Sequence, residues 1–314
     1  MADLHIVALA GGVGGAKLAD GLAQVLQPEH LTVIVNTGDD FTHLGLRISP
    51  DLDTVCYTLA GMANPETGWG RVDDTWRVLD HLKKMGMADW FQLGDADIAT
   101  QLVRTMRLNK GTSLSQITSD FCKVWNVKVK VLPMSDDIVR TWVSTNQGEL
   151  EFQEYFVHQH SEPLVNGFKF EGIESAKPAP GVIQVIEQCD AVIMCPSNPW
   201  VSIDPILSVP NIKAAVKKHP IYGVSPIIGN QTLKGPAAKM FSELGIQPSA
   251  LAVAQHYADL LDGILIDESD DFLVGDINKL GIQSYATDIL MRDRQDRARL
   301  ANEIINIIQA NLRG

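Results

Sequence analysis

The chain has 314 residues, 45% of them hydrophobic and 20% charged, enough to bury a full core as one large or two ordinary domains. Its formal net charge of -12 works against broad contact with a phosphate backbone, so nucleic acid is excluded as an expected partner. An anionic small ligand would have to be met by local dipoles, glycines or a metal ion.

The start, Met1-Ala2-Asp3, lacks a basic leader region, and no later segment approaches the ~18 apolar residues that span a bilayer, so a cytoplasmic chain without membrane association is expected. Strand-like Ile6 to Ala10 then breaks into Gly11, Gly12, Gly14 and Gly15, and Ala16-Lys17-Leu18 begins a helical pattern. Without Cβ atoms, such a loop brings backbone N–H groups close to an anion, and the following helix directs its positive end the same way. The loop departs from both common glycine fingerprints. Lys17 stands where a dinucleotide site has its third glycine, and Leu18 follows where a P-loop needs Ser or Thr. The next apolar run, Leu31 to Asn36, ends in Asn where a nicotinamide site usually has an acid, which disfavours a nicotinamide-dependent oxidoreductase.

Further strand-like runs at Val127 to Leu132, Ala191 to Cys195 and Ile221 to Ser225 alternate with helix-periodic stretches. This pattern predicts an α/β fold: a doubly wound, mostly parallel, Rossmann-like sheet whose ligands bind at the carboxyl ends of the strands. Residues 1–314 read as a single α/β nucleotide-binding domain, with residues 51–125 as a helical insertion capping the site. Helices are expected over Leu52 to Met62, Asp73 to Met85 and Asp97 to Met106, the last opened by Asp95 as its cap. Val139 to Thr145 and Leu150 to Val157, joined around Asn146-Gln147-Gly148, predict a β-hairpin. Cys56, Cys122, Cys189 and Cys195 form no CxxC pair, and each sits in an apolar stretch as a small core residue, which fits a reducing compartment.

The loops after the strands hold the candidate chemistry. Asn36-Thr37-Gly38-Asp39-Asp40 and Ser49-Pro50-Asp51-Leu52-Asp53-Thr54 put four carboxylates close together in sequence, a density of hard oxygen ligands that suits Mg²⁺ with substrate phosphates and water. Helix capping by Ser49 or Asp51 and a local turn at Asp39 are the structural alternatives. Pro196-Ser197-Asn198-Pro199 and Ser225-Pro226-Ile227-Ile228-Gly229-Asn230 combine rigid prolines with small hydrogen-bonding groups, as at a nucleotide site or in an ordinary turn. His158 and His160 share a face of a strand-like segment, but their polar neighbours indicate a solvated strand end rather than a metal site.

In order and spacing, GGVGGAK, NTGDD with SPDLDT, LGDAD, LPMSDD, PSNP and SPIIGN resemble the 2-phospho-L-lactate transferase family of deazaflavin coenzyme biosynthesis, and GWG with the following DDTW resembles its bacterial branch. The resemblance implies transfer of a phosphorylated three-carbon acid, of phospholactate, phosphoenolpyruvate or phosphoglycerate type, from its guanosine diphosphate conjugate to the ribitol hydroxyl of 8-hydroxy-5-deazariboflavin. GMP would be released, Mg²⁺ would assist, and the enzyme would be a homodimer. Asp40 and Asp53 then become the metal or catalytic residues, with Asp39 and Asp51 behind them and Asp53 a possible base. Gly11, Gly12, Gly14, Gly15, Lys17, Asn36, Asp95, Ser197, Asn198, Ser225, Gly229 and Asn230 become substrate contacts. One departure stands out: the family's third motif usually reads LGDRD, and this chain has Ala96, a loss that a neighbour such as Arg104 could offset. The alternative is a non-catalytic, nucleotide-sugar-binding regulator of related fold.

Overall fold

The computed structural model describes residues 4–232 and 235–313. The Met1-Ala2-Asp3 start lies outside the described residues. The strands are β1 (Ile6–Ala10), β2 (Leu31–Val35), β3 (Phe41–His43), β4 (Leu46–Ile48), β5 (Lys130–Pro133), β6 (Arg140–Thr145), β7 (Gly148–Glu151), β8 (Val165–Glu171), β9 (Ala191–Met194), β10 (Ile221–Val224), β11 (Ile227–Ile228), β12 (Gln231–Thr232), β13 (Gly263–Asp267) and β14 (Gln283–Thr287). The helices are α1 (Gly12–Val25), α2 (Pro50–Leu59), α3 (Arg77–Lys84), α4 (Asp95–Leu108), α5 (Leu114–Val124), α6 (Val182–Glu187), α7 (Asp204–Ser208), α8 (Ile212–Val216), α9 (Ala237–Glu243), α10 (Ala250–His256), α11 (Val274–Asn278) and α12 (Arg294–Arg313).

A seven-stranded parallel sheet runs β14-β13-β10-β9-β1-β2-β5, confirming the α/β, doubly wound expectation. Strand β1 pairs with β2 on one side (Ile6↔Leu31) and with β9 on the other (Ile6↔Ala191), so the chain order reverses there. The crevice for a ligand therefore opens where the loops after β1 and β9 diverge. Alternate residues of β1 serve the two faces: Val7 and Leu9 pack into one core, Ile6, Ala8 and Ala10 into the other.

Two of the seven strands escape the sequence pattern. Strand β14 is an edge strand with only partial burial and a polar sequence, QSYAT, while β13 is a short, fully buried GILID run. The predicted hairpin forms, but its second strand stops at Glu151. The following residues wind into a π-type turn over Glu154–His158, and β8 occupies the other edge of β6. His158 therefore lies on a helical turn, paired with Glu154 Oε1 at 2.6 Å and stacked on Trp90, rather than at a strand end.

Helices α2 to α5 fall between β2 and β5, in the span predicted to be a helical insertion. Helix α3 starts four residues later than predicted, at Arg77. Helix α2 packs directly on α1, and α4 on β4, which sets the insertion beside the carboxyl end of β2. Among the described residues no helix is long and apolar enough to cross a membrane.

Candidate active site at the switch point

The glycine loop is tighter than a free phosphate loop. Helix α1 begins at Gly12, with φ +61°, directly after β1. Ser197, in the loop after β9, accepts from the Gly11 N–H at 3.1 Å and donates to the Gly11 carbonyl at 2.8 Å, joining the two divergent loops. A Cβ on Gly14 would lie 2.2 Å from the Pro196 carbonyl oxygen, and one on Gly15 2.6 Å from Ser197 Oγ. These glycines thus permit contact between α1 and the β9 loop, while the half-buried amides of Val13 and Gly14 remain at the helix N-terminus. Gly14→Ala is expected to cost about 1–3 kcal/mol through this backbone clash. Chemical denaturation reads the loss, and an unchanged midpoint would contradict so close a packing.

Four acids gather at the carboxyl end of β2 and the start of α2. Asn36, the residue after β2, donates through Nδ2 to Asp51 Oδ2 at 2.9 Å and to the Val201 carbonyl at 3.0 Å, and accepts from the Gly38 N–H. Ser49 occupies the cap position of α2 without making a side-chain cap, and instead donates to Asp40 Oδ2 at 2.6 Å. Neither alternative capping role is used, and Asp51 turns back to Asn36 and the Gly12 N–H. Buried carboxylate oxygens Asp39 Oδ1 and Asp40 Oδ1 have no hydrogen-bond partner.

Electrostatics follow from that crowding. Burial, with the charges of Asp51 and Asp40 adding to it, raises Asp39 well above the usual carboxylate range. Burial pushes Asp40 up to about 8, against the opposing pull of the Ser49 hydroxyl. Asp51 is raised by burial to about 6, with Asn36 and Gly12 offsetting part of it. Each of these groups resists ionisation where it sits.

Asp53 is different because a cation is built in beside it. Arg104 grips both of its oxygens, one of them at 3.0 Å, and Gln101 Nε2 donates to Asp53 Oδ2 at 2.7 Å. Gln101 Nε2 also reaches Asp97 at 3.0 Å, whose Oδ1 takes the Tyr57 hydroxyl at 2.8 Å. Asp97, Gln101 and Arg104 recur on one face of α4, a polar stripe that ordinary amphipathic reading passes over. Burial followed by repulsion from Asp53 raises Asp97 to about 6. Arg104, the neighbour expected to offset Ala96, is buried and paired with Asp53.

The other candidates separate. Asn198 Oδ1 caps a second π-type turn, Pro199–Ile203, through the Trp200 N–H at 3.1 Å. Ser225 folds back on the Ile227 backbone, and Lys17 reaches the Met291 carbonyl at 2.9 Å. Gly229 and Asn230 sit in an exposed turn with positive φ, where the Gly229 N–H meets Asp270. Asp95 accepts from Thr75 Oγ1 and the Val78 N–H, while Asp74 supplies the cap of α4 at the Ala96 and Asp97 N–H groups. The expected Asp95 cap therefore comes from another segment. Near Asp40, Phe41, His43, Trp90 and Phe91 form an aromatic group, and burial lowers the proton affinity of His43.

A glycine-tight switch point beside a buried acid cluster suits an anionic, phosphate-bearing ligand, and similarity decides the family. The family model for 2-phospho-L-lactate transferase CofD matches residues 6–313. The chain belongs to that transferase family. It is 44% identical over 315 residues to a phosphoenolpyruvate transferase of Kitasatospora aureofaciens, covering 98% of each chain. It is 39% identical over 311 residues to a 2-phospho-L-lactate transferase of Methanopyrus kandleri, again covering 98% of each. A solved UPF0052 family protein from Bacillus halodurans has the same fold, with TM-score 0.61 at 17% identity, over 97% of this chain and 99% of that one. In this CofD-family chain GGVGGAK and PSNP meet at the switch point, NTGDD and SPDLDT form the acid cluster, LGDAD opens α4, and LPMSDD and SPIIGN run out from β5 and β10.

Proposed function

We propose that this chain transfers a phosphorylated three-carbon acid from its guanosine diphosphate conjugate to the ribitol hydroxyl of 8-hydroxy-5-deazariboflavin, releasing GMP, with Mg²⁺ held at Asp40. The observation that carries this reading is the pair of buried, unpartnered oxygens, Asp39 Oδ1 and Asp40 Oδ1, at the carboxyl end of β2. Burying carboxylates without a counter-ion is costly, and a divalent cation arriving with a diphosphate removes the cost. Among the described residues no group of three or more His, Cys, Asp or Glu side chains is placed to hold a metal ion by itself. Mg²⁺ does not need one, since one or two carboxylates plus substrate phosphates and water commonly suffice. The donor set fits: Asp40 through Oδ1, with Asp39 Oδ1 as the second unpartnered carboxylate oxygen, while Asp53, expected as a third metal ligand, has both oxygens taken by Arg104.

When bound, the ion would neutralise charge on the diphosphate during displacement. The protein's own residues do the rest. The α1 N-terminus orients the anion through the Val13 and Gly14 amides. Ser49 fixes one oxygen of Asp40 and leaves the other free. With both Asp53 oxygens held by Arg104 and Gln101, Asp51, raised to about 6, is the carboxylate better matched to take the hydroxyl proton near neutral pH. The Phe41, Trp90 and Phe91 group offers a wall for the flat deazaflavin ring. Greater identity to the relatives named phosphoenolpyruvate transferase supports a phosphoenolpyruvate-type donor.

Ionisation in the fold gives a checkable pH dependence. Asp40, raised from 3.8 to about 8, keeps a proton when folded that the unfolded chain releases, and Asp51 does so up to about 6. Their contribution to metal-free stability is complete below the unfolded value and is lost as pH rises through about 6 and then about 8. The melting temperature of metal-free protein is therefore expected to fall between pH 5 and about 8.5, and Mg²⁺ with GDP to reverse the fall. A melting temperature unmoved by the ligands at the alkaline end would speak against the site.

The reaction itself is tested by incubating protein, Mg²⁺ and deazaflavin with each of the three guanosine diphosphate conjugates and weighing the products. GMP in equal amount to a phosphodiester-linked deazaflavin is expected, fastest with the phosphoenolpyruvate conjugate. Tight nucleotide binding with no product from any donor would replace this reading with the non-catalytic regulator.

A further inference from the structure

The cysteines that are scattered in sequence do not stay apart. Cys56 on α2 and Cys122 on α5 place their Sγ atoms 3.7 Å apart, with both residues buried. Among the described residues Cys189 and Cys195 have no such sulfur partner, and Cys189 Sγ meets the Ile186 carbonyl at 3.1 Å. The pair lies one helical turn beyond Asp53, under the buried network that organises the acid cluster. On the α5 side, Phe121 packs beneath the Arg104 guanidinium, 5.7 Å from its ring centre, and Trp125 packs edge-on against Tyr57. Phe121, next to Cys122 in sequence, and Trp125, one turn further on, thus both touch the Asp53–Arg104–Tyr57 layer.

From this juxtaposition we propose that Cys56 and Cys122 are a redox-active dithiol, a modification site at which a small peroxide closes a disulfide that staples α2 to α5. Closure needs the sulfurs to approach by roughly 1.7 Å, to the ~2.05 Å of a disulfide bond. The contact also prepares the chemistry, because the hydrogen bond from Cys56 lowers the proton affinity of Cys122 and favours the thiolate that attacks. Cys122 is also the more exposed of the two, at 6% against 3%, and a peroxide is small enough to reach it. In the first step the Cys122 sulfur attacks one peroxide oxygen, the O–O bond breaks, and Cys122 becomes a sulfenic acid as one water leaves. In the second the Cys56 sulfur attacks the Cys122 sulfur, the S–O bond breaks, and the hydroxyl leaves as water with the Cys56 proton. Two thiols and one hydrogen peroxide give one disulfide and two waters.

The staple spans a long loop, from residue 56 to residue 122, so it constrains the unfolded chain strongly. It also fixes α5, and with it Phe121 under Arg104, to the helix that carries Asp51 and Asp53. The dithiol lies in the layer beneath the acid cluster, and its closure can be read without transferase turnover.

The test treats reduced, folded protein with hydrogen peroxide, then maps disulfides by mass spectrometry under non-reducing digestion and measures thermal unfolding. Expected are a mass loss of two hydrogens at a Cys56–Cys122 linked peptide, free thiols falling from four to two, and a melting temperature raised by several degrees. Dithiothreitol should reverse all three. A Cys189→Ala/Cys195→Ala double variant should behave as the parent. Cys122→Ala should keep its melting temperature under peroxide, with Cys56→Ala as the second check should that variant fold poorly. Four free thiols persisting in the folded protein, a linkage that uses Cys189 or Cys195, or a linked protein no more stable than the reduced one would each overturn the proposal.

Discussion

Arg104→Ala is expected to lower folding stability by about 3–5 kcal/mol, because it leaves a buried carboxylate without its counter-ion. Arg104 is 2% exposed and holds both oxygens of Asp53, itself 6% exposed, with Gln101 completing the shell. The Asp53 charge already repels Asp40 and Asp97 across this layer, and removing the guanidinium leaves that repulsion unopposed. Burial alone works against the arginine's charge, and the Asp53 carboxylate more than offsets it. The cation is therefore the keystone of an otherwise acidic cluster. Urea denaturation measures the effect, and Arg104→Ala combined with Asp53→Asn should cost less than the two singly, since the orphaned charge is gone. A single-variant loss below about 1 kcal/mol would show that the pair does not carry the layer.

Asp40→Asn should have the opposite profile, with turnover falling by about 10²–10³-fold while the fold holds, in line with the several kcal/mol that a metal ion contributes to transition-state charge. The substitution is nearly isosteric, can keep the Ser49 contact, and removes a group that burial pushes up to about 8. At alkaline pH its melting temperature should match or exceed that of the parent. Asp53→Asn provides the contrast, since loss of that charge leaves Arg104 buried and unpaired. Asp40→Asn retaining more than about a tenth of parental turnover would remove Asp40 from the chemistry.

Much of the fold could be read from local pattern, because the parallel strands are short, buried apolar runs that end in unusual loops. Ile6 to Ala10, Leu31 to Val35 and Ala191 to Met194 differ from expectation by at most one residue. Strand β14 was hidden because an edge strand needs no continuous apolar run, and β8 because only its pairing with β6 reveals it. At the site, residue types were legible and partnerships were not. SPDLDT announces carboxylates, yet that Asp53 belongs to Arg104 while Asp40 keeps a free oxygen depends on α4 folding back over 50 residues of chain. The spacing of Asp97, Gln101 and Arg104 was the available signal for that contact. Asp74 capping α4 in place of Asp95, and Cys56 meeting Cys122, are long-range meetings with no local signature.

The most direct measurement is a Mg²⁺ titration of turnover at saturating deazaflavin and guanosine diphosphate conjugate, repeated at pH 6.5 and at about 8.5. If Mg²⁺ occupies Asp40, it must displace a proton held with an affinity near 8. The half-saturating Mg²⁺ concentration should then fall by roughly tenfold or more between the two pH values, with chelator abolishing turnover at both. Undiminished turnover in excess chelator, or a metal requirement indifferent to pH in this range, would contradict a divalent ion at Asp40.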